Sequence, residues 1–451
     1  MTQPDLLRNR IALALSEILV ISEFSQLDDF PLALANYYDM LLRNSFGNYR
    51  DLLEEVTYLP AMGVYLTHVN NPRSEPSLNR FPDENYAREI MQLFSIGLYE
   101  LNIDGTRKLD TNGEPIPTYD NDDISELAKV FTGMTYGDNF IFGQDPLSEA
   151  SFLEPMQMLD YWHEPGPKNF LTASIPDRNP VDGAADVDDA LDYLFNHPNV
   201  GPFLARFMIQ RLVKSNPSGA YIERVATAFN DNGQGVRGDM KAFIKAILLD
   251  AEARDCALIN DPYNGMLREP MVRYTQLCRA FNAFSEEGTF RNYMGRFYDL
   301  TNQRPLGAAT VFNFFQPNYQ PLGAVQSHNL VAPEFQIVNS VSILGYANEL
   351  HDWIMDVNEV MEYRNLFVDE DYMAHKTVNL DLTDELAMGT DAQLNTLLER
   401  LNLILCAGQM SAETRTTIYN TITQLPESQD YIRVRLAIFL TMISPDYLIQ
   451  R

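Results

Sequence analysis

Residues Tyr161-Trp162-His163-Glu164-Pro165-Gly166-Pro167-Lys168 place an imidazole, a carboxylate and an ammonium beside two aromatic rings. Proline and glycine stiffen the backbone between them. His163 is the general acid–base candidate, because an imidazole titrates nearest neutrality. Glu164 could orient it, while Trp162 and Lys168 would hold a substrate. The same residues would equally suit a structural loop in which His163 is fixed by backbone hydrogen bonds.

A second constellation is ENYAREIMQLFSIG, residues 84–97. At about 100° per residue, Ala87, Ile90, Met91, Phe94 and Leu98 share one helical face. Glu84, Asn85, Arg88, Gln92, Ser95 and Tyr99 form the opposite one. Arg88 could clamp a carboxylate or phosphate and Gln92 could bind substrate, with Glu89 a further catalytic carboxylate. The alternative is a solvated face, or an arginine bracing its neighbours.

Oxygen ligands accumulate over 101–123, at Asp104, Asp110, Asn112, Asp120, Asp122 and Asp123. Hard cations take such oxygens, so a Ca²⁺ loop is a candidate, although the spacing does not follow an EF-hand. Asp and Asn also populate turns and helix caps, and Asp120 to Asp123 stands where a cap belongs. Over 311–323, Phe312, Phe314, Phe315 and Tyr319 alternate with Asn313, Gln316 and Asn318. Flat rings beside amides suit a sugar, with Phe314 and Tyr319 as substrate contacts, or a loop packing its own aromatics. Gly233, Gly235 and Gly238 match G-x-G-x-x-G, but a helix precedes them where a dinucleotide site needs a strand.

The elements that must position these groups are helices. Helical periodicity runs over 5–23, 31–46, 48–58, 83–100, 121–135, 186–196, 200–214, 219–230, 239–252, 268–286, 334–361, 392–407, 411–424 and 428–443, giving a mostly α fold. It reads as a multi-helix globular array with long irregular loops at 101–120, 136–185 and 302–333. Such lengths are uncommon without a use. A main body over 1–362, an acidic connection at 363–380 and a small C-terminal helical bundle over 381–451 packed on that body are expected.

Acidic residues outnumber basic ones 62 to 33, for a net charge of -29. That argues against nucleic acid as a partner, which requires clustered Lys and Arg. Cys256, Cys278 and Cys406 are too few and scattered for a disulfide framework, and no zinc spacing occurs. No apolar run reaches the roughly 20 residues of a membrane span, and Ile11 to Ile21 reads as an amphipathic helix, not an export signal.

ENYAREIMQLFSIGLYEL, the DGT…LD…GEPIPTY…DI stretch, FTGM, HEPGPKNFL, NGQGVRGDMKAFIKAILLD and APEF together resemble, in order, the bacterial family called domain of unknown function 1800. The resemblance runs from about residue 5 to SPDYLIQR, with the chain starting inside the family pattern. It implies a mostly helical, commonly exported protein, periplasmic, extracellular or at the cell surface, found beside sulfatase-like partners. It carries no residue roles across. The aromatic–amide loop at 311–323, His163, Glu164 and the surplus of carboxylates lead instead to the expectation of a hydrolase acting on an extracellular polymer such as a glycan. Its catalytic groups would be Glu89 or Asp123 with Glu164, with His163 shuttling protons. The alternative is a non-catalytic surface or assembly protein, or a Ca²⁺-stabilised glycan-binding protein.

Overall fold

Apolar side chains at helical spacing produce a mostly α chain in the computed structural model, which describes residues 5–138, 141–146, 148–288, 295–356 and 378–451. The chain divides into two units. One comprises Asp5–Asp261 with Leu306–Asn313, the other Pro262–Pro305 with Phe314–Arg451. The helices between 270 and 351 therefore group with the C-terminal ones, where the sequence pattern suggested the main body. The expected acidic connection lies outside the described residues except at 378–380. The 302–333 segment is shared, with 306–313 in the first unit.

In the first unit, α1 (Leu6–Ser16), α2 (Pro31–Asn44), α3 (Tyr49–Tyr58), α4 (Pro60–Tyr65), α5 (Asn85–Gln92) and α6 (Asn121–Val130) precede α7 (Gly183–Asn196), α8 (Val200–Leu212), α9 (Gly219–Asn230) and α10 (Met240–Leu249). Their apolar faces meet in one core holding Leu15, Leu52, Ile90, Leu127, Leu191 and Ile209. Truncating such a side chain to alanine typically costs about 2–5 kcal/mol. Buried tyrosines in this core donate to backbone carbonyls: Tyr37 to Leu19 at 2.7 Å and Tyr49 to Phe94 at 2.6 Å. Each hydroxyl thereby avoids the cost of an unsatisfied buried donor. Gly233, Gly235 and Gly238 turn the chain between α9 and α10 with positive φ, a helix–helix connection.

The loops expected at 101–120 and 136–185 are braced. Isolated antiparallel bridges join Tyr99 to Pro117, Leu101 to Arg107 and Leu109 to Pro115. Strand β1 (Met134–Thr135) pairs antiparallel with β2 (Gln157–Met158), and β3 (Lys168–Phe170) with β4 (Ala173–Ile175).

In the second unit, helices Pro270–Ala280, Ser340–His351, Leu394–Cys406, Ala412–Ile422 and Asp430–Met442 enclose Leu277, Leu350, Leu398, Ile438 and Tyr447. The helix expected over 334–361 starts later, because Asn339 caps it by accepting from Val341 and Ser342 N–H groups at 2.9 and 3.0 Å.

Candidate functional site

Helix α5 carries a polar cluster that mixes a buried carboxylate, Glu89, with the half-exposed Arg88. Its start is set by Asp83, which accepts from Asn85 N at 2.8 Å and is itself tied to Asn71 through Asp83 N and Asn71 Oδ1 at 2.9 Å. The helix ends at Gln92 instead of continuing to 100. Ile96 and Gly97 N–H groups both return to the Met91 carbonyl at 2.9 Å, and Gly97 has φ +71°. Ser95 consequently turns inward to the Ile90 carbonyl and leaves the expected polar face. Asn199 then clamps the exit, donating to the Ile96 and Tyr99 carbonyls at 2.8 Å.

This geometry leaves Arg88, Glu89 and Gln92 together on one short helix. Ala87, Ile90, Met91 and Phe94 are buried, as the periodicity implied; Tyr86 joins them, while Leu98 is exposed. Glu89 is only 5% exposed, and its Oε2 is buried without a hydrogen-bond partner. Burial raises its carboxyl above the ordinary value, with Arg88 opposing the shift. Two tyrosines face the same charge. Tyr65, at the end of α4, and Tyr119, just before α6, are pushed up to about 12 by burial and then by Glu89. Tyr119 donates to Gln92 Oε1 at 3.1 Å. Arg88 is half-exposed and reaches Glu84 at 3.4 Å, while the other Glu84 oxygen accepts from Ser125 Oγ of α6 at 2.5 Å.

His163 occupies a different and closed environment. It is fully buried, with Nδ1 2.9 Å from the Thr132 carbonyl and Nε2 3.0 Å from Asp186 Oδ2 and 3.2 Å from Lys168 Nζ. Lys168 Nζ and Arg178 both bond the Asp186 carboxylate, and Arg178 also holds Asp189 at 2.6 Å. In the tautomer protonated at Nδ1, the ring donates to Thr132 and accepts from Lys168, so both nitrogens are engaged. The packing against the ring and its backbone is close. A Cβ added at Gly183 would lie 2.8 Å from His163 Cγ, and one at Gly133 would lie 2.9 Å from His163 N. His163 and Lys168 therefore act on the fold: the imidazole is enclosed and the ammonium is bound to a buried carboxylate.

The other acid candidates also hold backbone. Glu164 Oε2 accepts from Ser74 N at 2.6 Å. Asp123 closes a reciprocal capping box with Asp120 at the start of α6, and its second oxygen accepts from Leu171 N at 2.5 Å. Trp162 stacks on Phe142, with centroids 4.6 Å apart and planes 11° apart.

The residues considered for Ca²⁺ are separated by the same kind of local work. Asp104 accepts from the Thr106 hydroxyl at 2.6 Å and its N–H at 2.9 Å. Asp110 accepts from the N–H groups of Glu114 and Asn112 at 2.9 and 2.8 Å. These bonds lower both carboxyls. Asn112 donates back to Asp110, Asp120 caps α6, and Asp122 is an exposed first-turn residue. Among the described residues, no three His, Cys, Asp or Glu side chains gather as metal ligands.

The pattern of the whole chain fits the family described as "Protein of unknown function (DUF1800)" over residues 1–449. The chain belongs to that family. No curated protein and no solved structure matches the chain. Among the described residues, no helix is long and apolar enough to cross a membrane.

Within this DUF1800 chain, Phe314 and Tyr319 belong to the second unit and α5 to the first. Both are half-buried, Phe315 is buried, and the Tyr319 carbonyl accepts from Ala332 N at 2.9 Å. Tyr65 and Tyr119 were not singled out by the sequence. Tyr119 carried a signal, standing immediately before the capped start of α6 in GEPIPTYDNDD, where a side chain is fixed at a helix entrance. Tyr65 carried none, since only tertiary packing brings the end of α4 to α5.

Proposed function

We propose that this protein is a hydrolase acting on an extracellular polymer such as a glycan, with Glu89 as its general acid and base. One observation carries the reading. Of the four carboxylate and imidazole candidates, Glu89 alone combines burial with an oxygen that has no protein partner, and its carboxyl is raised by that burial. A carboxyl kept protonated above its usual range can deliver its proton to the leaving oxygen as the glycosidic bond breaks. The water that adds to the anomeric carbon returns a proton to the Glu89 carboxylate, so the acid is restored and the atoms balance. Gln92, held by Tyr119, and the half-exposed Arg88 would orient hydroxyl or acidic groups of the substrate. An address outside the cytoplasm and a sulfatase-like partner are part of this proposal.

Incubation with a panel of polysaccharides, followed by a reducing-end assay, tests it. Release from at least one polymer is expected, with a rate that declines at a pH above the ordinary carboxyl range. Glu89→Gln should lower that rate by roughly 10²–10⁴-fold. No released ends from any polymer, or full activity in Glu89→Gln, would overturn the proposal.

A further inference from the structure

The loop before α5 presents a second surface of different chemistry. Asn71 and Asp83 close the loop 71–83 on itself, and two backbone donors tie it to the His163 loop: Arg73 N to the Trp162 carbonyl at 2.9 Å and Ser74 N to Glu164 at 2.6 Å. On this frame Tyr161 stands 71% exposed, with the Arg73 guanidinium over its ring at 4.7 Å. Trp162 meets Tyr161 edge-on at 5.4 Å, stacks on Phe142 and has the Arg80 guanidinium 5.8 Å from its ring. The neighbouring Phe81 is 63% exposed.

The two arginines are not alike. Arg80 is held by Glu75 at 2.7 Å. Arg73 has no carboxylate partner among the described residues, although acidic side chains outnumber basic ones 62 to 33. In so acidic a chain, an unpaired guanidinium fixed over an exposed ring is suited to an anion supplied from outside. The guanidinium offers a planar fork to a carboxylate or sulfate, and the ring offers a face to the C–H side of a sugar. At physiological salt, acidic groups more than about 8 Å away are largely screened, and the nearby carboxylates are engaged within the fold: Glu75 by Arg80, Glu164 by Ser74 N and Asp160 by Gly183 N.

We infer that Arg73, Tyr161 and the Trp162–Phe142 stack form a docking platform for an acidic polysaccharide, leading along the loop 71–83 toward α5. The inference rests on the polymer-hydrolase reading and names its substrate class. Affinity electrophoresis of the whole protein in gels containing polygalacturonate, dextran sulfate or neutral dextran tests it. Retardation by polygalacturonate or dextran sulfate but not by neutral dextran is expected, and the two anionic gels separate carboxylate from sulfate recognition. Arg73→Gln should weaken retardation by at least roughly tenfold, with Tyr161→Ala doing the same and melting temperatures unchanged. Equal retardation in neutral dextran, no retardation in any gel, or wild-type retardation of Arg73→Gln would overturn the platform. Reducing-end release on the same polymers reads the other proposal separately. Arg73-dependent retardation without any cleavage keeps the platform and removes the hydrolase. Cleavage that Glu89→Gln abolishes, with Arg73→Gln retarded normally, does the reverse.

Discussion

Helix α6 has two polar neighbourhoods that differ in closure. Through Asp123 and Glu126 it holds the backbone of Leu171 and Asn169 near β3, where Lys168 and His163 are sealed against Asp186. Through Ser125 it reaches Glu84 at the start of α5, where Arg88, Glu89 and Gln92 stand with Tyr119. Both contain carboxylates and cations. In the first, every ionised group has a partner within the fold. In the second, Glu89 is buried with one oxygen unmatched, and Arg88 is weakly held. Chemical composition alone therefore does not separate a fully paired cluster from one with an unmatched group. The matching of donors to acceptors does.

The largest expected effect comes from breaking the closed cluster. Asp186→Ala would leave the Lys168 ammonium, 2% exposed, and the Arg178 guanidinium without their shared carboxylate. Loss of one partner of a buried pair costs about 3–5 kcal/mol, while replacing the whole pair by apolar groups is far milder. Denaturant unfolding should show the single substitution strongly destabilised and Asp186→Leu with Lys168→Met recovering most of the loss. A single variant as stable as the wild type would mean that the network does not hold the fold.

How much of this contrast the sequence could show follows from the range of the contacts involved. The helical class, the buried stripe of α5 and the capping role of Asp120 depend on neighbours within a turn, and all were legible. So were Arg88 and Gln92 as an outward face. The function of HEPGPK was not, because the group that neutralises Lys168 and meets His163 is Asp186, on another element after the β3–β4 hairpin. The end of α5 was also misjudged. Periodicity extends past Gln92, but the reversal at Gly97 and the Asn199 clamp are tertiary. The Asp-rich stretch could be read either as a cation site or as turns and caps, because turn residues and cation ligands are the same residues. Which they are depends on whether their oxygens face backbone N–H groups or one another.

A smaller, pH-dependent effect separates the two faces of α5. On its core side, Tyr86 stacks on His68 at 3.9 Å, and burial pushes that imidazole down from 6.5 to about 4 despite its bond to the Thr57 carbonyl. The unfolded chain therefore binds a proton that the folded one refuses as the pH falls from about 6.5 to 4. Stability is lost through that window, by roughly 3 kcal/mol in all. Glu89 acts in the opposite sense: its carboxyl is raised, so its contribution is present below the ordinary glutamate value and is lost as the pH rises through the folded one. Unfolding of wild type and His68→Gln across pH 4–7 should give a difference that narrows steadily toward acid. A constant difference would show that the fold does not lower the His68 pKa.

The smallest expected effect is at Arg88, and it tests openness directly. If Arg88 braced the fold as Arg178 does, its removal would strand a buried carboxylate. Its contact to Glu84 is instead 3.4 Å long, with the two side chains 39% and 42% exposed, and Ser125 continues to satisfy the other Glu84 oxygen. Exposed pairs of this helical spacing contribute about 0.3–0.5 kcal/mol. Arg88→Ala should therefore shift the melting temperature by no more than a degree or two, and salt should shrink even that difference. Glu89 would respond more than the fold, since the opposing charge beside its carboxyl disappears and its pKa rises further. A large drop in melting temperature would place Arg88 with the closed cluster and remove it from the proposed substrate contacts. A small drop accompanied by an upward displacement of the pH–rate profile would keep it beside Glu89 as a group that tunes the acid.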